Sequence, residues 1–159
     1  MKDMQTTFNL RKFRLDDLDR VMYINRKCLP ENYTPYFFID LHKRFPETFI
    51  VAERDGEIVG YVMCRIETGF YGFGLFGTKK KGHIISIAVL PEHRRNGIGY
   101  ALMQEALQSM TLYNATECYL EVRVSNTPAI NLYKKLGFRI FHIIHGYYAD
   151  GELSLIHIS

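Results

Sequence analysis

Leu90-Pro91-Glu92-His93-Arg94-Arg95-Asn96-Gly97-Ile98-Gly99 is the stretch on which the reading of this chain turns. Ahead of it, His83 to Leu90 is nearly all apolar, as in a strand buried on both faces. Behind it, Ile98, Ala101, Leu102, Ala106, Leu107 and Met110 recur at helical spacing and predict a helix over 97–112. The stretch is therefore a strand-to-helix turn. The first N–H groups of a helix have no partner inside it, and the dipole is positive there. Gly97 and Gly99 remove side chains that would keep a phosphate away from the backbone, and Arg94 and Arg95 add charge and donors. A P-loop needs Gly-Lys-Ser/Thr after its glycines, which is absent, and a dinucleotide fingerprint needs Gly or Ala where Leu102 stands. Taken alone, the pattern also fits a plain helix start with surface arginines.

Working outward, Phe8 to Arg14 reads as a strand. Asp16 and Asp17 open a helix that Pro30 closes, and Tyr36 to Phe45 reads as a second, aromatic-rich helix. Glu47 to Arg54 and Glu57 to Glu67 are apolar strands joined by Asp55-Gly56, a hairpin signal because Gly accepts positive φ. Gly69 to Gly82 reads as a Gly- and Phe-rich loop whose Lys79-Lys80-Lys81 tail is solvated. Thr116 to Val124 alternates as a strand. Thr127-Pro128 caps a helix that ends at Leu136-Gly137. Phe138 to His145 and Leu153 to Ile158 read as closing strands. The order is βααβββαβαββ: an α/β fold with a central mixed sheet flanked by about four helices, in one domain over 1–159.

Composition narrows the function classes. The chain has 159 residues, 47% hydrophobic and 23% charged, which suits one soluble domain with a real core. A net charge of +3 without a dense basic stripe argues against nucleic acid. Three cysteines (Cys28, Cys64 and Cys118) with no CxxC spacing argue against a disulfide framework or a zinc ribbon. No apolar run approaches the ~18–20 residues of a membrane span, and the N-terminus lacks the apolar core of a signal peptide, so a cytoplasmic protein with no membrane contact is expected.

Two residues could handle protons. Glu121 is an acid in an otherwise apolar strand, Cys118-Tyr119-Leu120-Glu121-Val122. Buried, it would suit proton transfer; on an alternating strand it would simply face outward, and the pattern leaves both open. His83 begins the neighbouring strand; an imidazole titrates near ~6.5, although a lone strand histidine is more often structural. His83 and Glu121 are too few ligands to predict a metal.

Arg94-Arg95-Asn96-Gly97-Ile98-Gly99 after a buried strand resembles the acetyl-CoA motif of the GNAT superfamily. Leu29-Pro30-Glu31-Asn32-Tyr33, Lys81-Gly82-His83, Ser86-Ile87-Ala88-Val89, Leu120 to Asn126, Ala129 to Tyr133, Leu136-Gly137-Phe138 and Gly146 to Glu152 are similar to the Nα-acetyltransferase branch, above all archaeal enzymes related to the catalytic subunit of NatA. The resemblance implies transfer of the acetyl group of acetyl-CoA to the α-amino group of protein N-termini. Its alternatives are a GNAT acting on lysine, a polyamine or one ribosomal protein, or a non-catalytic acetyl-CoA-binding subunit. It implies that two strands, His83 to Leu90 and Thr116 to Val124, splay apart and that pantetheine bonds to the backbone of Ile87, Ala88 and Val89. The tetrahedral intermediate of such a transfer carries an oxyanion that a free strand N–H could stabilise, and Val89 is the candidate. The resemblance sets Arg94 to Gly99, Asn126 and Tyr133-Lys134-Lys135 beside CoA and makes the Tyr133 hydroxyl the donor to the thiolate. Glu121 and His83 become candidate bases. Glu31, Asn32 and Tyr33, with Tyr147 and Tyr148, become walls of a peptide groove. Implied partners are protein N-termini or nascent chains and, beyond these, a ribosome or an auxiliary subunit. The match breaks at Leu153-Ser154-Leu155-Ile156-His157-Ile158-Ser159, which replaces an Asp-Ala-Tyr-like strand and reads either as a pairing strand or as a non-native scar.

Overall fold

The structure, a computed structural model, describes residues 7–70, 78–140 and the backbone of 154–158. Six strands lie in sequence order across one sheet: β1 (Asn9–Lys12), β2 (Phe49–Arg54), β3 (Glu57–Phe70), β4 (Thr78–Val89), β5 (Glu117–Arg123) and β6 (Ser154–Ile158). Every pairing is antiparallel except β4 with β5, which is parallel. The helices are α1 (Leu18–Cys28), α2 (Pro35–Arg44), α3 (Ile98–Met110) and α4 (Thr127–Lys135). The order matches the sequence reading up to α4. The expected strand from Phe138 to His145 falls largely outside the described residues. In the tail, Ser154–Ile158 pairs with β5.

Local chemistry explains the boundaries. Thr34 caps α2, its hydroxyl accepting from Phe37 N–H at 3.2 Å, and Pro35 fills the first turn, where a missing N–H costs nothing. Asn126 caps α4 the same way, accepting from Ala129 N–H at 3.3 Å ahead of Pro128. Asp55 and Gly56 both take positive φ, 54° and 81°, as the tight β2–β3 turn demands.

One expectation is corrected. Gly69 to Gly82 is not a loop throughout: β3 runs to Phe70 and β4 starts at Thr78, with Thr68 facing Lys80. Within the basic run, opposite charge faces Lys81. Lys81 pairs in register with Glu67 on β3, and its Nζ lies 3.9 Å from Glu117 on β5.

The sheet is covered on both sides. A Cβ added to Gly60 would meet Leu102 of α3, whereas the hydroxyl of the next residue, Tyr61, bonds to Asn25 of α1. Successive residues of a strand face opposite ways, so α3 and α1 lie on opposite faces. Phe38, Phe49, Tyr61, Met63, Leu102 and Met103 fill the layers between and are fully buried. Gly82 also allows close packing, since any side chain there would run into Met110 of α3.

Candidate active site

On the α1 side, the face of the sheet turns polar past Met63. Arg65 and Glu67 of β3, His83 of β4, and Tyr119 and Glu121 of β5 share that face, because Arg65 pairs with His83 and His83 with Tyr119. His83 is the hub. Its Nδ1 lies 2.8 Å from Glu67 Oε2 and its Nε2 2.8 Å from Glu121 Oε1. Tyr119 stacks on the imidazole at 4.2 Å and 17°, and its hydroxyl donates to Glu67 Oε1 at 2.5 Å. Arg65 grips the same carboxylate at 3.1 and 2.9 Å. The side chains of His83 and Glu121 are 10% and 16% exposed, so both are largely desolvated.

β5 alternates between half-buried and buried positions, and Glu121 is one of the half-buried ones. On that half-buried side Glu121 meets a histidine. The imidazole offers one nitrogen to each carboxylate, so the three groups do not converge on a point. Among the described residues no set of three His, Cys, Asp or Glu could hold a metal ion.

Of the two carboxylates that meet the imidazole, Glu67 is the one that stays an acceptor. Burial works to raise its proton affinity, but hydrogen bonds from Tyr119 and His83, the His83 charge and Arg65 outweigh burial and hold it below the ordinary carboxylate range. Tyr119 is pushed well up by burial and by the Glu67 and Glu121 charges, so it stays a donor.

Beside this array β4 and β5 part. They pair only at Lys81–Glu117, Gly82–Cys118 and His83–Tyr119, and beyond His83 no β4–β5 pairing remains. A bulge opposite Met63 and Cys64 leaves Ile85 as the extra residue at the start of the gap. Leu90 N–H bonds to Val59 of β3 at 2.9 Å, so by alternation Ile87 and Val89 turn their backbone groups away from β3, and Ala88 turns its own toward it. The Val89 carbonyl accepts from Arg94 Nε at 2.7 Å.

The turn after β4 is shaped for backbone exposure. Arg95 and Gly97 take positive φ, 65° and 81°, and Asn96 braces the bend with bonds to His93 O and Arg94 O at 3.2 and 3.1 Å. A Cβ on Gly97 would meet nothing within 4 Å, so glycine serves the backbone angle and the open approach. At Gly99 it would meet Leu132 of α4 at 3.5 Å, ordinary packing. Ile98 is buried as an anchor. On α4, Tyr133 is buried against Phe138, and burial pushes its hydroxyl up to about 12, which keeps it protonated near neutrality. Lys134 and Lys135 are exposed. The Asn126 side chain is committed to capping.

The loop between α1 and α2 is held from below. Buried Asn25 donates to Glu31 O and to Tyr61 Oη, both at 3.1 Å, and accepts from Tyr33 N–H at 3.4 Å. Asn32 donates to Leu29 O at 2.9 Å, and Tyr33 Oη reaches Ile85 O at 3.4 Å. Glu31 is bound by Arg123 of β5 at 2.5 Å, which ties the loop to the strand that carries Glu121. Tyr147 and Tyr148 lie outside the described residues. The sequence reading missed Glu67, Tyr119, Arg65 and Asn25. An acid one strand over from His83 was visible, but only the register shows that it pairs.

Residues 18–138 match the acetyltransferase (GNAT) family. An N-alpha-acetyltransferase of Sulfurisphaera tokodaii is 55% identical over 91% of this chain and 88% of its own length. The Arabidopsis thaliana N-terminal acetyltransferase A complex catalytic subunit NAA10 is 38% identical over 90% of this chain and 72% of its own length. The solved structure of Arabidopsis thaliana Naa50 in complex with the bisubstrate analogue CoA-Ac-MVNAL superposes with a TM-score of 0.82 at 27% identity, over 96% of this chain and 98% of that one.

Proposed function

The chain belongs to the acetyltransferase (GNAT) family, and from that premise we propose that it transfers the acetyl group of acetyl-CoA to the α-amino group of protein N-termini. One observation carries the reading: a carboxylate–imidazole pair, Glu121 and His83, beside the point where β4 leaves β5. Acetyl transfer needs a neutral amine. A peptide α-amine titrates at ~7.7–8.0 and a lysine at ~10.4, so a modest base suffices for the first. Glu121 and His83 supply it, directly or through water. The attacking nitrogen forms the C–N bond, and the carbonyl oxygen becomes an oxyanion that the Val89 N–H, turned into the gap, can bind. Collapse expels the CoA thiolate, and the Tyr133 hydroxyl, still protonated near neutrality, donates to it.

In this reading pantetheine lies between β4 and β5 on the backbone of Ile87 and Val89, with Ala88 supporting from the β3 side. The pyrophosphate takes the turn of Arg94, Arg95, Asn96, Gly97, Ile98 and Gly99. Here Arg94 must release Val89 or share it. Lys134 and Lys135 meet the outer phosphates, and Asn126 acts chiefly by starting α4. Glu31, Asn32 and Tyr33, with Tyr147 and Tyr148, wall the groove for the substrate's first residues. The whole chain, tail included, serves as one catalytic domain. Nascent chains in the cytoplasm are the natural substrates. An auxiliary subunit or ribosome contact goes with the likeness to a subunit of the acetyltransferase A complex.

A panel of short peptides with acetyl-CoA tests this. Acetylation of free N-termini, with lysine side chains and polyamines left alone, is expected. Lysine or polyamine acetylation without N-terminal activity, or CoA binding without turnover, overturns it.

A further inference from the structure

The mechanism above uses His83 and Glu121 and leaves Glu67 without a task. We propose that Glu67 is a positioning residue of the reaction: it holds the His83 imidazole with Nδ1–H toward β3, so that Nε2 is the nitrogen that takes the proton beside Glu121. The proposal rests on the acetyl-transfer reading and adds a residue to it.

The geometry leaves little freedom. Glu67 accepts from His83 Nδ1, from the Tyr119 hydroxyl and from two nitrogens of Arg65. A carboxylate so surrounded by donors remains an acceptor, so the proton in the His83–Glu67 contact belongs to Nδ1. Stacking on Tyr119 at 4.2 Å keeps the ring from turning over. Lys81 sits 5.9 Å from the centre of that tyrosine ring and is met by Glu117; among the described residues the charged or titratable groups on this face are Arg65 and Glu67 from β3, Lys81 from β4, and Glu117, Tyr119 and Glu121 from β5.

Nε2 is then the one ring nitrogen with a negotiable proton. When the substrate ammonium loses a proton, its N–H bond breaks and an Nε2–H or Glu121 O–H bond forms; water on the open side takes the proton away. Without Glu67 the ring would satisfy Glu121 by donating Nε2–H, a tautomer with no lone pair facing the substrate. Glu67 thus sets the polarity of the pair, much as second carboxylates fix the tautomer of other functional histidines.

The test reads the tautomer directly. ¹⁵N-labelled protein, without substrate, is examined by imidazole ¹⁵N–¹H correlation NMR, with His83→Gln assigning the His83 signals. The expected neutral form carries Nδ1–H. Glu67→Leu, which removes the acceptor, should flip it to Nε2–H and lower kcat by about tenfold or more while leaving KM for acetyl-CoA within about twofold. Glu67→Gln, which keeps an acceptor and loses the charge, should keep the tautomer and move the acidic limb of kcat/KM to lower pH by about one unit. An Nε2–H tautomer in the unaltered protein overturns the proposal without any variant. So does a Glu67→Gln enzyme whose limb has not moved. Because the tautomer is read without substrate, the two failures are distinguishable: an inactive wild type overturns the acetyl-transfer reading, whereas an active enzyme with an Nε2–H ring overturns the Glu67 assignment alone.

Discussion

At the residue scale the site depends on a few side chains that touch each other across three strands. Glu121 and His83 share a 2.8 Å contact and lie away from the Arg94–Gly99 turn that would hold the cosubstrate. Changing them should therefore separate chemistry from binding. Glu121→Gln combined with His83→Ala is expected to lower kcat by about 10²-fold or more, the scale of a lost acid–base group, with acetyl-CoA affinity by calorimetry within about threefold. A parallel loss of both quantities would remove them from proton handling. Asn25 shows why other contributors stay hidden in sequence. In sequence it is one more position at helical spacing in α1, and only the fold reveals that it is buried and bonded to Glu31, Tyr61 and Tyr33.

At the element scale the strand–turn–helix of β4 and α3 carries the binding argument. Gly97 holds φ at 81° in open space, so a larger residue there strains the backbone without clashing with the fold. Gly97→Val should cost about 1–3 kcal/mol of local strain or shift the turn to relieve it. Acetyl-CoA affinity is expected to fall by about tenfold or more, while the circular-dichroism spectrum stays that of the unaltered protein. Unchanged affinity would detach the turn from the cosubstrate. This turn was legible in sequence because its signal is local: a buried strand, two glycines and a helical repeat within thirty residues. Likewise α1 and α4 announce themselves through Asp16-Asp17 and Thr127-Pro128, and α2 through its aromatic-rich run from Tyr36, although the Thr34 cap and Pro35 that start it read as loop. The far ends of β3 and β4 were not legible. Gly69, the aromatic run after it and three lysines look like a loop, and what makes Thr78 to Lys81 a strand is pairing with Phe70 to Glu67 across the hairpin. Glu67 ends the strand as read from sequence, but its partners do not show there: His83 stands sixteen residues away and Tyr119 fifty-two.

At the scale of the whole molecule, the sheet order ties the site to stability through charges at the other edge. β1 is fastened to the start of α1 by Arg11, whose guanidinium meets Asp17 at 2.8 and 2.9 Å and Glu53 at 3.0 Å. Asp17 also accepts from Arg14 N–H at 2.8 Å, and its side chain is only 9% exposed. Burial acts to raise its proton affinity, yet the bonds from Arg11 and from Arg14 N–H prevail and hold the carboxyl below its ordinary value. A carboxyl lowered on folding contributes stability that is fully present above the unfolded value, about 3.9, and is lost as pH falls through the folded value. Glu67 is lowered in the same direction at the active site. The melting temperature should therefore hold steady from pH 7 to about 5 and drop below about 4. Asp17→Asn removes one lowered group and leaves Arg11 partly unpaired, so it should lose about 1–3 kcal/mol at pH 7 and show a shallower drop on acidification. Thermal unfolding followed between pH 3 and 7 decides it. Parallel curves for the two proteins would mean that the β1–α1 fastening contributes nothing to acid stability, and the acid response would then have to come from groups such as Glu67 within the catalytic face.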